Sequence, residues 1–182
     1  MPPSERSADE VEAEAVAETV TAGADTIPVP GDLLAEGATI ERQNPSLYNV
    51  IAGMTMAQKV KLALRGNRDA RTLLARDGSK TIRRYVLLNP QITEDEIIAI
   101  ARDKNSSEDV LRMITARGDW MKAYGVRRAL VVNPKTPLPI AVKQLPTLLV
   151  KDLERIAKSK DVPQAVVIQA RKIVLATRER QQ

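Results

Sequence analysis

The chain has 182 residues, 43 % of them hydrophobic, and a formal net charge of +5. It contains no cysteine and no histidine, which excludes disulfides, thiolate nucleophiles, Cys/His zinc sites, thiolate-held iron–sulfur clusters and imidazole acid–base work. With no Phe, one Trp and three Tyr, a core has to be built from Leu, Ile, Val, Ala and Met, which suits thin helix-on-helix layers better than a sandwich or barrel.

The charge is polarised along the chain. Residues 1–46 hold ten acidic and two basic residues, a net of −8, so the remainder carries +13. This first stretch is rich in Ala, Glu, Thr, Gly and Pro and poor in large apolar side chains. It cannot bury enough surface to offset its ordering entropy, so residues 1–45 are expected to be a disordered acidic tail. Within it, Val11, Val16 and Val20 sit in an Ala/Glu context that favours at most a transient helix, and Leu33-Leu34 reads as linker or as a short docking motif. A further reading lays the acidic tail on the basic body, screening it from partners. The start, Met1-Pro2-Pro3-Ser4-Glu5-Arg6, lacks the basic and apolar regions of a secretory signal, and no apolar run approaches the ~20 residues needed to span a bilayer. A cytoplasmic protein that does not engage membrane is expected.

From residue 46 to 182 the periodicity predicts one α-helical domain. Leu47, Val50, Ile51 and Met54 share a helical face, with Gly53 as the stop. Thr55-Met56-Ala57-Gln58 is a capping-box pattern opening the next helix, which Gly66-Asn67 ends. A short helix over 68–77 follows, stopped by Gly78, then another over 79–88, ended by Asn89-Pro90 because the residue before proline is pushed out of the α region. Thr93-Glu94-Asp95-Glu96 is the strongest capping box, its acidic first turn complementing the helix dipole. Ser106-Ser107-Glu108-Asp109 caps the next helix, and Gly118 is expected to stop it. Trp120 to Val132 then reads as helical, with a break at Gly125. Pro137 and Pro139 open a short helix closed by Pro146, Leu149, Leu153 and Ile156 mark another, and Asp161-Val162-Pro163-Gln164 caps the last. There Val166, Val167, Ala170, Ile173 and Val174 line one face, and Arg178 to Gln182 are expected to fray. About ten short helices with two- to five-residue connections make sequential helices antiparallel neighbours, an all-α, α-solenoid-like stack.

One stretch occurs twice. Ile82-Arg83-Arg84-Tyr85-Val86-Leu87-Leu88-Asn89-Pro90 returns 44 residues later as Val126-Arg127-Arg128-Ala129-Leu130-Val131-Val132-Asn133-Pro134. A period of that size marks stacked helical units, none of which buries its apolar face alone. The second copy, continued by Lys135-Thr136-Pro137, resembles the leucine-rich repeat variant family, whose repeats carry a Val-Arg, an apolar run and Asn-Pro-x-Thr-Pro. The first copy has Ile92-Thr93 where Thr-Pro would stand. The resemblance covers about 80–145 and implies a superhelix of α-helices alternating with short 3₁₀ helices, in units of about 24 residues. HEAT-like repeats are nearly as good a match, and residues 46–182 also resemble proteins of environmental bacteria with no activity attached. The iron–sulfur site of one branch of the variant family needs cysteines that this chain lacks.

Arg83, Arg84, Arg127 and Arg128 are the candidate binding residues. Each pair lies off the apolar face of its helix, and stacking in register would align four guanidinium groups, whose bidentate forks suit carboxylate or phosphate. The competing structural role is pairing with acidic residues of a neighbouring helix or capping exposed carbonyls. Lys59, Lys61, Arg65, Arg68 and Arg71, and further on Lys158, Lys160, Arg171 and Lys172, extend the basic surface. Trp120 and Tyr124, four apart, read as a packed pair on one helix. No residue constellation supports catalysis, and no cofactor is expected. The sequence therefore predicts a non-enzymatic helical-repeat scaffold or adaptor that binds an acidic protein partner. A nucleic-acid-binding solenoid gripping phosphates through the arginines is the alternative; the scarcity of aromatics serves base stacking poorly.

Overall fold

The computed structural model describes residues 7–37 and 45–179, and these form twelve α-helices, two short 3₁₀ turns and no strand. No helix among them is long and apolar enough to cross a membrane. The chain divides into two compact units, residues 1–92 and 93–182.

Unit 1 contains α1 (Ala8–Thr21), a 3₁₀ turn (Gly31–Leu33), α2 (Pro45–Ala52), α3 (Met56–Arg65), α4 (Arg68–Leu74) and α5 (Lys80–Val86). Its helix starts obey local rules. Ser7 and Glu10 form a capping box, as do Thr55 and Gln58, while Asn67 and Ser79 cap α4 and α5 through their side chains. Helix α3 is central, packing against α1, α4 and α5. Its Val60, Leu62 and Ala63 are fully buried, against Leu74, Ile82 and Leu87 of the neighbouring elements.

Helix α1 corrects the expected disordered tail. Residues 7–37 fold onto unit 1: Ala13, Ala17 and Val20, spaced by four and three, are its buried face, and Val11 is 54 % exposed. Small side chains let the helix approach α3 closely, so dispersion contacts replace the bulky residues the sequence lacks. Gly23, with φ of 72°, ends α1 in the left-handed conformation and starts an extended path to the 3₁₀ turn, where Leu33 is buried. Residues 1–6 and 38–44 of the expected tail lie outside the described residues. Of the fray expected from Arg178 to Gln182, Arg178 and Glu179 instead complete the last helix, with Arg178 paired to Glu154 at 2.6 Å, and residues 180–182 lie outside the described residues.

Unit 2 contains α6 (Glu94–Arg102), α7 (Glu108–Ala116), α8 (Gly118–Lys122), α9 (Tyr124–Val132), α10 (Leu138–Gln144), a 3₁₀ turn (Leu145–Thr147), α11 (Val150–Lys158) and α12 (Gln164–Glu179). The Thr93–Glu96 capping box is formed, and Ser107 caps α7. Gly118 starts α8 rather than stopping a helix. The break expected at Gly125 falls at Ala123, whose extended backbone separates α8 from α9. Helix α9 packs on α6 and α10, and α12 packs along α11 and against α10. Leu145, Leu153, Val166, Val167 and Ala170 form the core between these last elements.

The two copies of the repeated stretch make the same local structure. Asn89 is 2 % exposed; its amide donates to the carbonyls of Ala63 (3.0 Å) and Gly66 (3.2 Å) at the end of α3, and its oxygen accepts from Gln91 N–H (2.9 Å). Asn133, equally buried, donates to Ala101 (2.8 Å) and Asp103 (3.0 Å) at the end of α6 and accepts from Lys135 N–H (2.9 Å). Each asparagine thus satisfies carbonyls that a helix end leaves without intrahelical partners, and ties that end to the turn after the repeat's last helix.

Candidate functional site

Arg83 and Arg84 lie on α5 in unit 1, Arg127 and Arg128 on α9 in unit 2. Arg84 is exposed, and Arg83 is half-buried with an enclosed Nε that has no hydrogen-bond partner; neither forms an ion pair among the described residues. Arg127, at the matching position, also has an enclosed unpartnered Nε, but its Nη1 donates to the carbonyls of Met121 and Lys122, each at 2.8 Å, capping the end of α8. That is the structural role weighed for these arginines.

Arg128 enters a different arrangement, a polar site in unit 2. It borders a cavity of about 290 Å³ between the ends of α6, α9 and α11. Arg102 and Lys104 approach from the end of α6, Arg155 from α11, and Asn133 from the turn after α9. Val132, Ile156 and Val162 supply an apolar wall. Two carboxylates face these four cations. Asp161 is highly exposed, with Lys104 at 4.0 Å, so that contact contributes little. Asp152 is nearly buried and holds the site together. Its Oδ1 lies 3.3 Å from Arg128 Nε and 3.7 Å from Arg155 Nη1, and its Oδ2 accepts a 2.5 Å hydrogen bond from the Tyr124 hydroxyl. That hydroxyl in turn accepts from Leu149 N–H at 3.2 Å, at the start of α11.

The hub has a direct electrostatic consequence. Burial pushes the Tyr124 phenol above its ordinary value, and donation to Asp152 pushes it further the same way. The phenol therefore stays a donor and holds the carboxylate that positions Arg128. Arg102 forms no ion pair among the described residues, and Arg155 is 61 % exposed, so both present guanidinium to solvent at the cavity mouth. A small cleft with excess positive charge, a fixed carboxylate and an aliphatic wall is suited to an anionic group carried on an apolar stem.

Sequence reasoning singled out Arg128 and missed its company. Arg102 and Lys104 come from the end of α6, and Asp152 and Arg155 from one turn of α11, so no linear signal joins these two pairs to Arg128 on α9. Trp120 and Tyr124 are not a pair on one helix. Trp120 belongs to α8, with the Arg117 guanidinium 4.6 Å from its ring centre, while Tyr124 starts α9 and faces Asp152.

No protein-family model, curated protein or solved structure matches the chain.

Proposed function

We propose that this chain is a non-enzymatic cytoplasmic scaffold or adaptor, built on helical repeats of the leucine-rich repeat variant or HEAT-like kind, that binds an acidic protein partner through a basic face. The observation that supports this reading is the unit 2 cavity, where Arg102, Lys104, Arg128 and Arg155 face only two carboxylates. Its shape favours protein over nucleic acid. A concave cleft walled by Val132, Ile156 and Val162 accommodates a glutamate or aspartate side chain with its aliphatic stem, whereas a phosphodiester backbone asks for an extended charged track. Arg84, exposed on unit 1, adds to the basic surface of that unit.

The test is a pair of titrations followed by fluorescence anisotropy from ~50 mM salt upward. One uses a labelled polyglutamate peptide, the other labelled duplex DNA and RNA. Saturable peptide binding that is lost in an Arg102→Glu, Arg155→Glu variant with an unchanged far-UV circular dichroism spectrum is the expected result. Tighter binding of a duplex than of the peptide, with a steep salt slope, would replace the reading with the nucleic-acid alternative. Binding of neither ends both.

A further inference from the structure

The acidic N-terminal arm is held on unit 1 in the way a bound peptide is held. Residues 58, 61 and 65 share one face of α3, and each reaches the arm. Arg65 Nη2 donates to the carbonyls of Val20 (3.1 Å) and Thr21 (3.4 Å). Lys61 Nζ donates to the Ile27 carbonyl (2.8 Å) and pairs with the Asp25 carboxylate at 2.6 Å. Gln58 Nε2 donates to the Pro28 carbonyl (2.9 Å). As the arm number rises from 20 to 28, the α3 number falls from 65 to 58, so the last turn of α1 and the extended chain after it run antiparallel to α3. The arm then turns back to the start of α4. There Asn67 N–H donates to Leu33 O (2.7 Å), its side-chain amide donates to Asp32 O (2.8 Å), and Glu36 pairs with the buried Arg71.

Most of these bonds end on main-chain carbonyls, which every peptide offers. Beyond the small buried residues Ala13 and Ala17 of α1, side-chain selectivity rests on carboxylates at Asp25 and Glu36 and apolar plugs at Val20 and Leu33, each of the last two 1 % exposed. The fit is also incomplete: a cavity of about 400 Å³ remains between the arm, at Val20, Gly23 and Leu34, and the body, at Leu64 and Pro90. Charge supplies the complementarity. Residues 47–92 carry nine basic and two acidic residues, a net of +7, against the arm's −8.

We propose that the Gln58–Lys61–Arg65 face of α3 is a peptide-binding groove occupied in cis by the chain's own arm, and that it accepts in trans an acidic segment of a partner protein, a helix end followed by extended chain, that displaces the arm. The segment carries a buried apolar residue where Val20 sits and a carboxylate five residues on, where Asp25 meets Lys61. The proposal shares with the reading above only the acidic character of the ligand. It concerns the other unit, so the Arg102→Glu, Arg155→Glu chain is a control that leaves this groove intact.

The probe is a labelled synthetic peptide with the sequence of residues 7–37, titrated into the full chain. In the unaltered protein the tethered arm competes at an effective concentration on the order of millimolar, so binding is weak. In an Asp25→Lys chain the cis arm is repelled by Lys61, and the probe, which keeps its aspartate, binds at least about tenfold more tightly; adding Lys61→Glu abolishes that gain. Because Asp25 is half-buried against Lys61, Asp25→Asn, which keeps its size and removes only the charge, serves as a milder second variant. A scrambled peptide of the same composition does not bind. Equal affinity of the probe for the unaltered and both Asp25-substituted chains, or equal binding of the scrambled peptide, overturns the proposal. Hydrogen exchange gives an independent reading on the unaltered chain: excess probe accelerates exchange of amides 20–36, and an unchanged rate under saturating probe overturns it as well.

Discussion

Asn89 and Asn133 show how much one side chain settles in this fold. Each is a donor to two helix-end carbonyls and an acceptor for one turn amide, at about 2 % exposure. Replacing either with Ala leaves buried carbonyls without these partners, so Asn89→Ala and Asn133→Ala each lower the unfolding free energy by about 2–3 kcal/mol in urea titrations. Aspartate is worse at both positions, because a carboxylate cannot donate to a carbonyl. Tyr124 makes a second residue-scale prediction. Its pKa is raised from 10.0, by burial first and by Asp152 second, so its contribution to stability is full below the unfolded value and is lost as pH rises through the higher folded one. Tyr124→Phe costs about 1–2 kcal/mol at neutral pH and removes this alkaline step from a stability–pH profile. Asp25 behaves in the opposite sense. The Lys61 hydrogen bond comes first among the causes that hold its carboxyl below 3.8, so its hold on the arm is present above that value and lost as pH falls through the lower folded one.

At the scale of elements, two glycines that look alike in sequence have different reasons. A Cβ at Gly66 would lie 2.3 Å from the Leu62 carbonyl oxygen and 2.9 Å from Ala70 Cβ; the first of these is backbone, held at 2.7 Å by the Gly66 N–H itself. A Cβ at Gly125 would meet the tip of the Ile98 side chain at 2.5 Å, which can rotate away, and Ala favours the helix by about 1 kcal/mol. Gly66→Ala is therefore expected to destabilise by about 2–3 kcal/mol, while Gly125→Ala stays within about 1 kcal/mol of the original, both read from denaturant midpoints at constant slope. The capping boxes at Thr55 and Thr93 were legible because the chemistry is local: a hydroxyl, an amide three residues on, and a Gln or Glu that reaches back. The break at Ala123 was placed two residues late, at Gly125, because glycine marks tolerance for a bend without dictating where the bend falls.

For the molecule as a whole, the division of charge organises unit 1. An acidic arm and a basic body in one unit nearly neutralise each other, and several of the bonds between them are charge-assisted. Raising salt from ~0.1 M to ~1 M shortens the screening length from about 10 Å to about 3 Å. Hydrogen exchange of the arm amides is expected to quicken over that range, while the core of α12 in unit 2 is unchanged; equal acceleration in both would mean that salt acts on global stability instead. The helical class and most helix starts were readable in the sequence, because apolar spacing and caps act over three to seven residues. The charge split was readable too, and with it the prospect of an acidic segment lying on a basic one. Whether that segment orders was decided by tertiary structure, since Ala13 and Ala17 add to stability only where α3 offers a surface close enough for small side chains to touch. The same holds for Arg128, whose surroundings come from three helices that meet only in the folded unit, at distances no linear pattern encodes.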